Sequence, residues 1–131
     1  STQGVSSAAS DVYKRQLSDH PRLKEIAAAL RADPADRSTV AEWGRRLAMS
    51  ERTLARLVQQ EVGMSFGRWR QQMHIVMALQ RLSSGVSVQR TAEDLGYESV
   101  SAFITMFRKA LGQTPARYFS DKAEERGAMQ A

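Results

Sequence analysis

The sequence predicts an all-α fold of about seven helices, arranged as two helix-turn-helix subdomains joined by a long linker helix. Three observations predict it. Apolar residues recur at spacings of three and four along the chain, and no segment alternates as a strand would. Serine, threonine and glycine punctuate that pattern where helices would start and stop. The second half of the pattern repeats the first.

Each element follows from its residues. His20-Pro21 opens the first helix, with proline where its missing N–H costs nothing. Leu23, Ile26, Ala27 and Leu30 form its apolar stripe, and Ala32-Asp33-Pro34 ends it. Thr39-Val40-Ala41-Glu42 is a capping-box pattern for a second helix that buries Val40, Trp43 and Leu47. After a break at Ala48-Met49, Ser50 caps a third helix, which buries Leu54, Leu57 and Val58 and stops at Gly63. A fourth, from about Ser65 to Ser83, is apolar on two sides. Phe66, Trp69, Met73, Val76 and Met77 fall on one, Ile75, Leu79 and Leu82 on the other, as a strut covered from two sides requires. Beyond Ser84-Gly85 come a short helix (Val88 to Leu95), a turn at Gly96-Tyr97-Glu98, and a helix capped by Ser99. That helix buries Phe103, Met106, Phe107 and Leu111 and ends at Gly112. Thr114-Pro115 opens a last short helix through Tyr118. Residues 1–17 are expected to be disordered or foreign to the natural chain, and 121–131 to be a flexible tail. Between them lie the first subdomain (18–64), the linker helix (65–84) and the second subdomain (85–120).

The repeat runs at an offset of 48, rising to 49 past the turn. Val40 matches Val88, Leu47 matches Leu95 and Ala48 matches Gly96. Past the extra residue Glu98, Ser50 matches Ser99, Leu54 matches Phe103, and Gly63 matches Gly112; Ser65 matches Thr114 and Trp69 matches Tyr118. Each copy reads as helix, short turn, capped helix.

Charge distinguishes the copies. The chain of 131 residues carries a net charge of +5, and arginine supplies most of its cations. From Trp43 to Leu82, Arg45, Arg46, Arg52, Arg56, Arg68, Arg70 and Arg81 face only Glu51 and Glu61, so this stretch alone carries +5. From Val86 to Phe119 the excess is +1. Arginine suits bidentate contact with phosphate and guanine, so the bias leans toward nucleic acid. The absence of cysteine excludes disulfides and thiolate metal sites and fits a reducing compartment, the cytoplasm. No apolar run reaches the roughly 18 residues of a membrane span, and no charged-then-apolar leader is visible.

In such a unit the second helix lies in the major groove and reads base edges. Opposite the first core, Glu51, Arg52, Ala55, Arg56 and Gln59 form one strip. Arg52 and Arg56 can each present a fork to guanine; Glu51 can accept from cytosine or screen Arg52. The matching strip is Val100, Ser101, Ile104, Thr105 and Arg108, apolar and hydroxylic and suited to thymine methyls. Val100 and Ile104 are expected to be exposed, either touching bases or packing against something else. Gln59 and Arg108, at the far ends of the strips, are expected to contact phosphate. So are the helix starts at Ser50, Ser65, Ser99 and Thr114, with Arg45, Arg46, Arg68, Arg70 and Arg117; for each arginine a solvated surface charge is the plainer alternative. No catalytic set, metal cluster or cofactor site is visible, and of the two histidines His74 reads as a packed or boundary residue. A helical protein-interaction module is the rival reading. RNA binding is disfavoured because the aromatics fall on core positions.

The segment TAEDLGYESVSAFITMFRKALGQTPARYF, Thr91 to Phe119, resembles the signature of the AraC/XylS family of bacterial transcription regulators. Ala92, Gly96-Tyr97, Ser99, Phe103, Phe107-Arg108, Gly112, Thr114-Pro115 and Tyr118 carry the likeness. SERTLARLVQQEVGMSFGRW, from Ser50 to Trp69, resembles the family's other half. Thr91 departs from the pattern, where a branched aliphatic is common, and so does Phe119, where a basic residue is common. The resemblance implies a homeodomain-like DNA-binding domain whose two reading helices enter successive major-groove segments of double-stranded DNA, often with bending. It also implies RNA polymerase as a partner and an N-terminal effector or dimerisation domain, frequently a cupin-like β-barrel, which no segment here can form. The expectation is a DNA-binding domain apart from its sensor; a stand-alone small activator is the alternative.

Overall fold

A computed structural model describes residues 19–130, so the segment 1–17 expected to be disordered lies outside the described residues. Seven helices follow in order: α1 (Pro21–Ala32), α2 (Val40–Arg46), α3 (Glu51–Val62), α4 (Phe66–Ser83), α5 (Val88–Asp94), α6 (Val100–Leu111) and α7 (Pro115–Gln130). No strand occurs among the described residues. The chain divides into two compact units between Met77 and Ala78, within α4.

In the first unit, His20 caps α1 through its ring Nδ1, which accepts from the Arg22 amide at 3.2 Å. Thr39 and Glu42 form the reciprocal capping box of α2, each side chain accepting from the other's backbone N–H. Ser50 caps α3, which ends on Gly63. Leu23, Ile26, Ala27 and Leu30 of α1 are buried with Trp43, Leu47, Leu54, Val58, Val62, Phe66, Trp69 and Met73. Val40 and Leu57, expected in this core, are only half-buried. Val62, one turn beyond Val58, is buried at the end of the α3 stripe. The 33–39 loop is tied down by polar groups. His74, 3% exposed, donates from Nε2 to the Pro34 carbonyl at 2.9 Å, and Arg37 Nη1 donates to the same oxygen at 2.8 Å. Arg70 Nη1 donates to the Ser38 carbonyl at 2.7 Å, and Asp36 accepts from the Ser38 backbone and hydroxyl. Burial first, then the charge of Arg37, depresses the His74 pKa to about 4, so the ring is neutral near pH 7.

In the second unit, Ser87 caps α5 and Ser99 caps α6. Ala92, Leu95, Phe103, Met106 and Phe107 are buried, while Leu111 is half-buried. An aromatic chain, edge-packed at every step but the tilted Phe103–Phe107 pair, runs from Tyr97 to Phe103 (5.6 Å between ring centroids), Phe107 (6.0 Å), Tyr118 (5.8 Å) and Phe119 (5.1 Å). Phe119 thus has a packing partner where the family commonly has a cation. Thr91, the other departure, is fully buried, and its hydroxyl has no hydrogen-bond partner among the described residues. The last helix is longer than its sequence pattern predicts. Instead of stopping near Tyr118 and giving way to a flexible tail, α7 continues to Gln130. Beyond Pro115 no proline and no glycine before Gly127 interrupts a run rich in Ala, Glu, Lys and Arg, and Arg117 pairs with Asp121 one turn on at 3.5 Å.

The internal repeat is visible atom by atom. At the first turn the Met49 amide bonds back to the Gly44 carbonyl at 2.8 Å; at the second, Tyr97 bonds to Ala92 at 2.9 Å. Ala48 and Gly96 both turn left-handed there, at φ 56° and 79°. Ala48 holds this conformation with a Cβ and Gly96 without one, so the first turn carries strain that the second avoids.

Candidate nucleic-acid interface

The two turns set the two candidate reading helices, α3 and α6, onto equivalent positions in their own units. On α3, Leu54 and Val58 face inward at 0% exposure, which turns Glu51, Arg52, Ala55, Arg56 and Gln59 to solvent. Among the described residues no hydrogen bond or ion pair engages the Arg52 or Arg56 side chain. Nor, among the described residues, does an ion pair join Glu51 to Arg52. Glu51 sits in the first turn of α3, where a negative charge also favours the helix dipole.

On α6 the corresponding strip differs. Ser101, Thr105 and Arg108 are exposed, but Val100 and Ile104, expected to be exposed, are half-buried. The reason is the apolar stripe itself: Phe103 and Phe107 are wholly buried, so a neighbour next to either lies at the edge of the core. The Thr105 hydroxyl donates to the Ser101 carbonyl at 2.9 Å, one turn back on the same helix. From Val100 to Phe107 no residue is charged.

The expected phosphate-contacting residues separate into two groups. Arg45, Arg68 and Arg108 are exposed, with no hydrogen bond or ion pair on their side chains among the described residues. Arg46, Arg70 and Arg117 are engaged elsewhere. Arg46 lies over the Trp43 ring at 4.4 Å and meets Asp36 at 3.4 Å. Arg70 holds Ser38 and lies over Phe66 at 5.3 Å, and Arg117 meets Asp121. Charge counting along the sequence does not distinguish a free guanidinium from one spent on the fold. Ser50, Ser65, Ser99 and Thr114 each accept from the amide three residues on, at 3.0 to 3.3 Å, so their hydroxyl oxygens already serve the helix ends. Gln59 is exposed in the last turn of α3. Exposed Lys109, one turn beyond Thr105 and beside Arg108, is a further cation; the α6 strip, matched to the α3 strip that ends at Gln59, stops one residue short of it.

Among the described residues no group of three His, Asp or Glu side chains is placed to hold a metal, and no helix is long and apolar enough to cross a membrane.

The comparisons with known proteins agree with this architecture. Residues 43–121 match the family model described as a helix-turn-helix domain. The HTH-type transcriptional regulator NimR of Escherichia coli K12 is 47% identical over 104 residues, which are 79% of this chain and 38% of NimR. RipA of Corynebacterium glutamicum, another HTH-type transcriptional regulator, is 28% identical over 97 residues. The chain therefore spans well under half the length of these relatives. Among solved structures, the DNA-binding domain of AdpA in complex with a target DNA is similar at a TM-score of 0.70 and 27% identity. That match covers 83% of this chain and 98% of the AdpA domain. With two left-handed turns, two capped second helices and these relatives, the chain belongs to the AraC/XylS family of helix-turn-helix transcription regulators.

Proposed function

We propose that this chain binds double-stranded DNA in a sequence-specific manner and so regulates transcription, with α3 and α6 as its two reading helices. The observation that carries the reading is the exposed guanidinium pair on α3, Arg52 and Arg56, unpaired among the described residues and one turn apart on a helix whose opposite face is buried. Each fork matches the O6 and N7 of a guanine. Glu51 and Ala55 complete that reading strip, and Val100, Ser101, Ile104 and Thr105 form the second. Arg45, Arg68, Arg108 and Gln59 grip phosphate, together with the amides at the helix starts behind Ser50, Ser65, Ser99 and Thr114. Arg46, Arg70 and Arg117 act on the fold first and on DNA second. The charge asymmetry makes the first unit the source of most of the affinity. RNA polymerase, an effector-binding or dimerisation domain, and a cytoplasmic place on the nucleoid complete the reading; it involves no catalytic residue, cofactor or metal.

The test is selection of bound duplexes from random DNA, followed by titration at several salt concentrations. The expected result is a defined motif whose affinity falls steeply with salt. Arg52→Ala and Arg56→Ala should each cost about 1–3 kcal/mol and relax one base position. Equal, salt-independent affinity for every duplex would sink the reading and leave a protein-interaction module in its place.

A further inference from the structure

Because the chemistry of the two strips differs group by group, we infer that the two halves of the DNA site are read through different atoms. The first unit reads guanine N7 and O6, and the second reads the 5-methyl group of thymine. The inference rests on the DNA-binding reading above and specifies what α6 recognises.

On α3 the recognition groups are charged donors, the Arg52 and Arg56 forks, and among the described residues no hydrogen bond or ion pair engages them. On α6 no charged residue occurs from Val100 to Phe107. Its one threonine on the strip has turned its hydroxyl back on the helix, donating to the Ser101 carbonyl at 2.9 Å. That bond uses the only proton the hydroxyl has to give, and the γ-methyl must take another staggered position. Thr105 therefore offers DNA a methyl group more readily than a donor. Ile104, next in sequence, leaves part of its side chain outside the core, and Val100 does the same one turn earlier. The Ser99 oxygen is committed to the Ala102 amide at 3.0 Å, which leaves the Ser101 hydroxyl as the uncommitted polar group in the middle of the strip. Apolar side-chain groups facing the major groove have one base-specific partner there, the thymine methyl.

The test uses the selected DNA site and two modified bases. Deoxyuridine in place of thymine removes only the 5-methyl group, and 7-deazaguanine in place of guanine removes only N7. The half read by α3 is identified as the half whose preference relaxes in Arg52→Ala. In the other half, each contacted thymine replaced by deoxyuridine should weaken binding roughly fourfold, as loss of one buried methyl does. In that half 7-deazaguanine should leave affinity within twofold, and in the α3 half the two sensitivities should exchange. Thr105→Ser deletes the γ-methyl and keeps the hydroxyl, so it should lower affinity and lose the deoxyuridine effect at one position. Thr105→Val keeps a methyl there and should retain both. Both are exposed, conservative changes, and an unchanged unfolding midpoint separates a reading effect from a folding one.

The inference is overturned if deoxyuridine in the α6 half shifts affinity by less than twofold, if 7-deazaguanine there weakens binding, or if Thr105→Ser matches the parent while Thr105→Val does not. A motif confined to the α3 half overturns it too and leaves DNA binding intact. No duplex preference at all overturns the underlying reading instead.

Discussion

Gly44→Ala should destabilise the protein, although alanine is the better helix former. Gly44 is buried in α2, and a Cβ added there would lie 2.7 Å from the Met49 carbonyl oxygen and 3.5 Å from the Glu51 nitrogen. Both neighbours are backbone atoms of the turn that aims α3, so neither can rotate away. Ordinary contact begins near 3.4 Å, and reaching it means pulling apart a turn that also holds the 2.8 Å bond from Met49 to Gly44. Overpacking of this kind costs about 1–3 kcal/mol. Against it stands a helix-propensity gain of up to about 1 kcal/mol. The net expectation is a loss of roughly 1–2 kcal/mol, or a fall in melting temperature of roughly 5–10 °C. Gly67→Ala is the internal control. It makes the same chemical change in α4, with nothing within 4 Å of the new Cβ, and should gain from a few tenths to about 1 kcal/mol. The assay is thermal and urea unfolding of both variants and the parent, followed by circular dichroism. If Gly44→Ala matches or exceeds Gly67→Ala in stability, backbone contact at the turn is not what excludes a side chain there. The second unit gives the geometric reason to expect otherwise. Ala92 stands at the matching position, where the turn that follows has one more residue, Glu98, before its capping serine.

Thr91→Val should stabilise by about 1–2 kcal/mol, because it keeps the shape of a fully buried side chain and removes a hydroxyl without a partner; a lower urea midpoint would refute this. Gly96→Ala should cost about 1–2 kcal/mol at φ 79°, measured as a drop in midpoint with unchanged slope. Stability should also depend on pH through His74. Its folded pKa, about 4, lies below the unfolded value near 6.5, so the unfolded chain binds the proton more readily. Stability is then full above about pH 6.5 and declines as pH falls toward 4, by on the order of 3 kcal/mol. His74→Gln should flatten that window in urea titrations, and an unchanged slope would show that the titrating group is elsewhere.

Helix order, caps and turns were legible because each depends on local chemistry. Thr39 with Glu42, Ser50, Gly63, Ser99 and Gly112 mark their helix ends in the sequence as in the fold. The features that escaped depend on distant neighbours. Nothing adjacent to Arg70 announces its bond to Ser38, thirty-two residues away, nor does anything near Arg46 announce Asp36. Spacing places Val100 and Ile104 on the outer face, but an apolar side chain at the edge of a stripe settles partly into the core. The length of α7 was missed because no strong apolar period marks it and its propensity acts only as a sum over many residues. For the candidate interface, the strip on α3 was visible whole. Which cations were free to use was not.

The placement of the aromatic residues has an optical consequence. Trp43 and Trp69 both belong to the first unit, and the second packs its core around Tyr97, Phe103, Phe107, Tyr118 and Phe119. Light absorbed only by indole therefore reports on one unit, and the other is silent at that wavelength. The chain carries a built-in spectroscopic label that tells whether its arginine-bearing unit melts together with its nearly neutral one or apart from it.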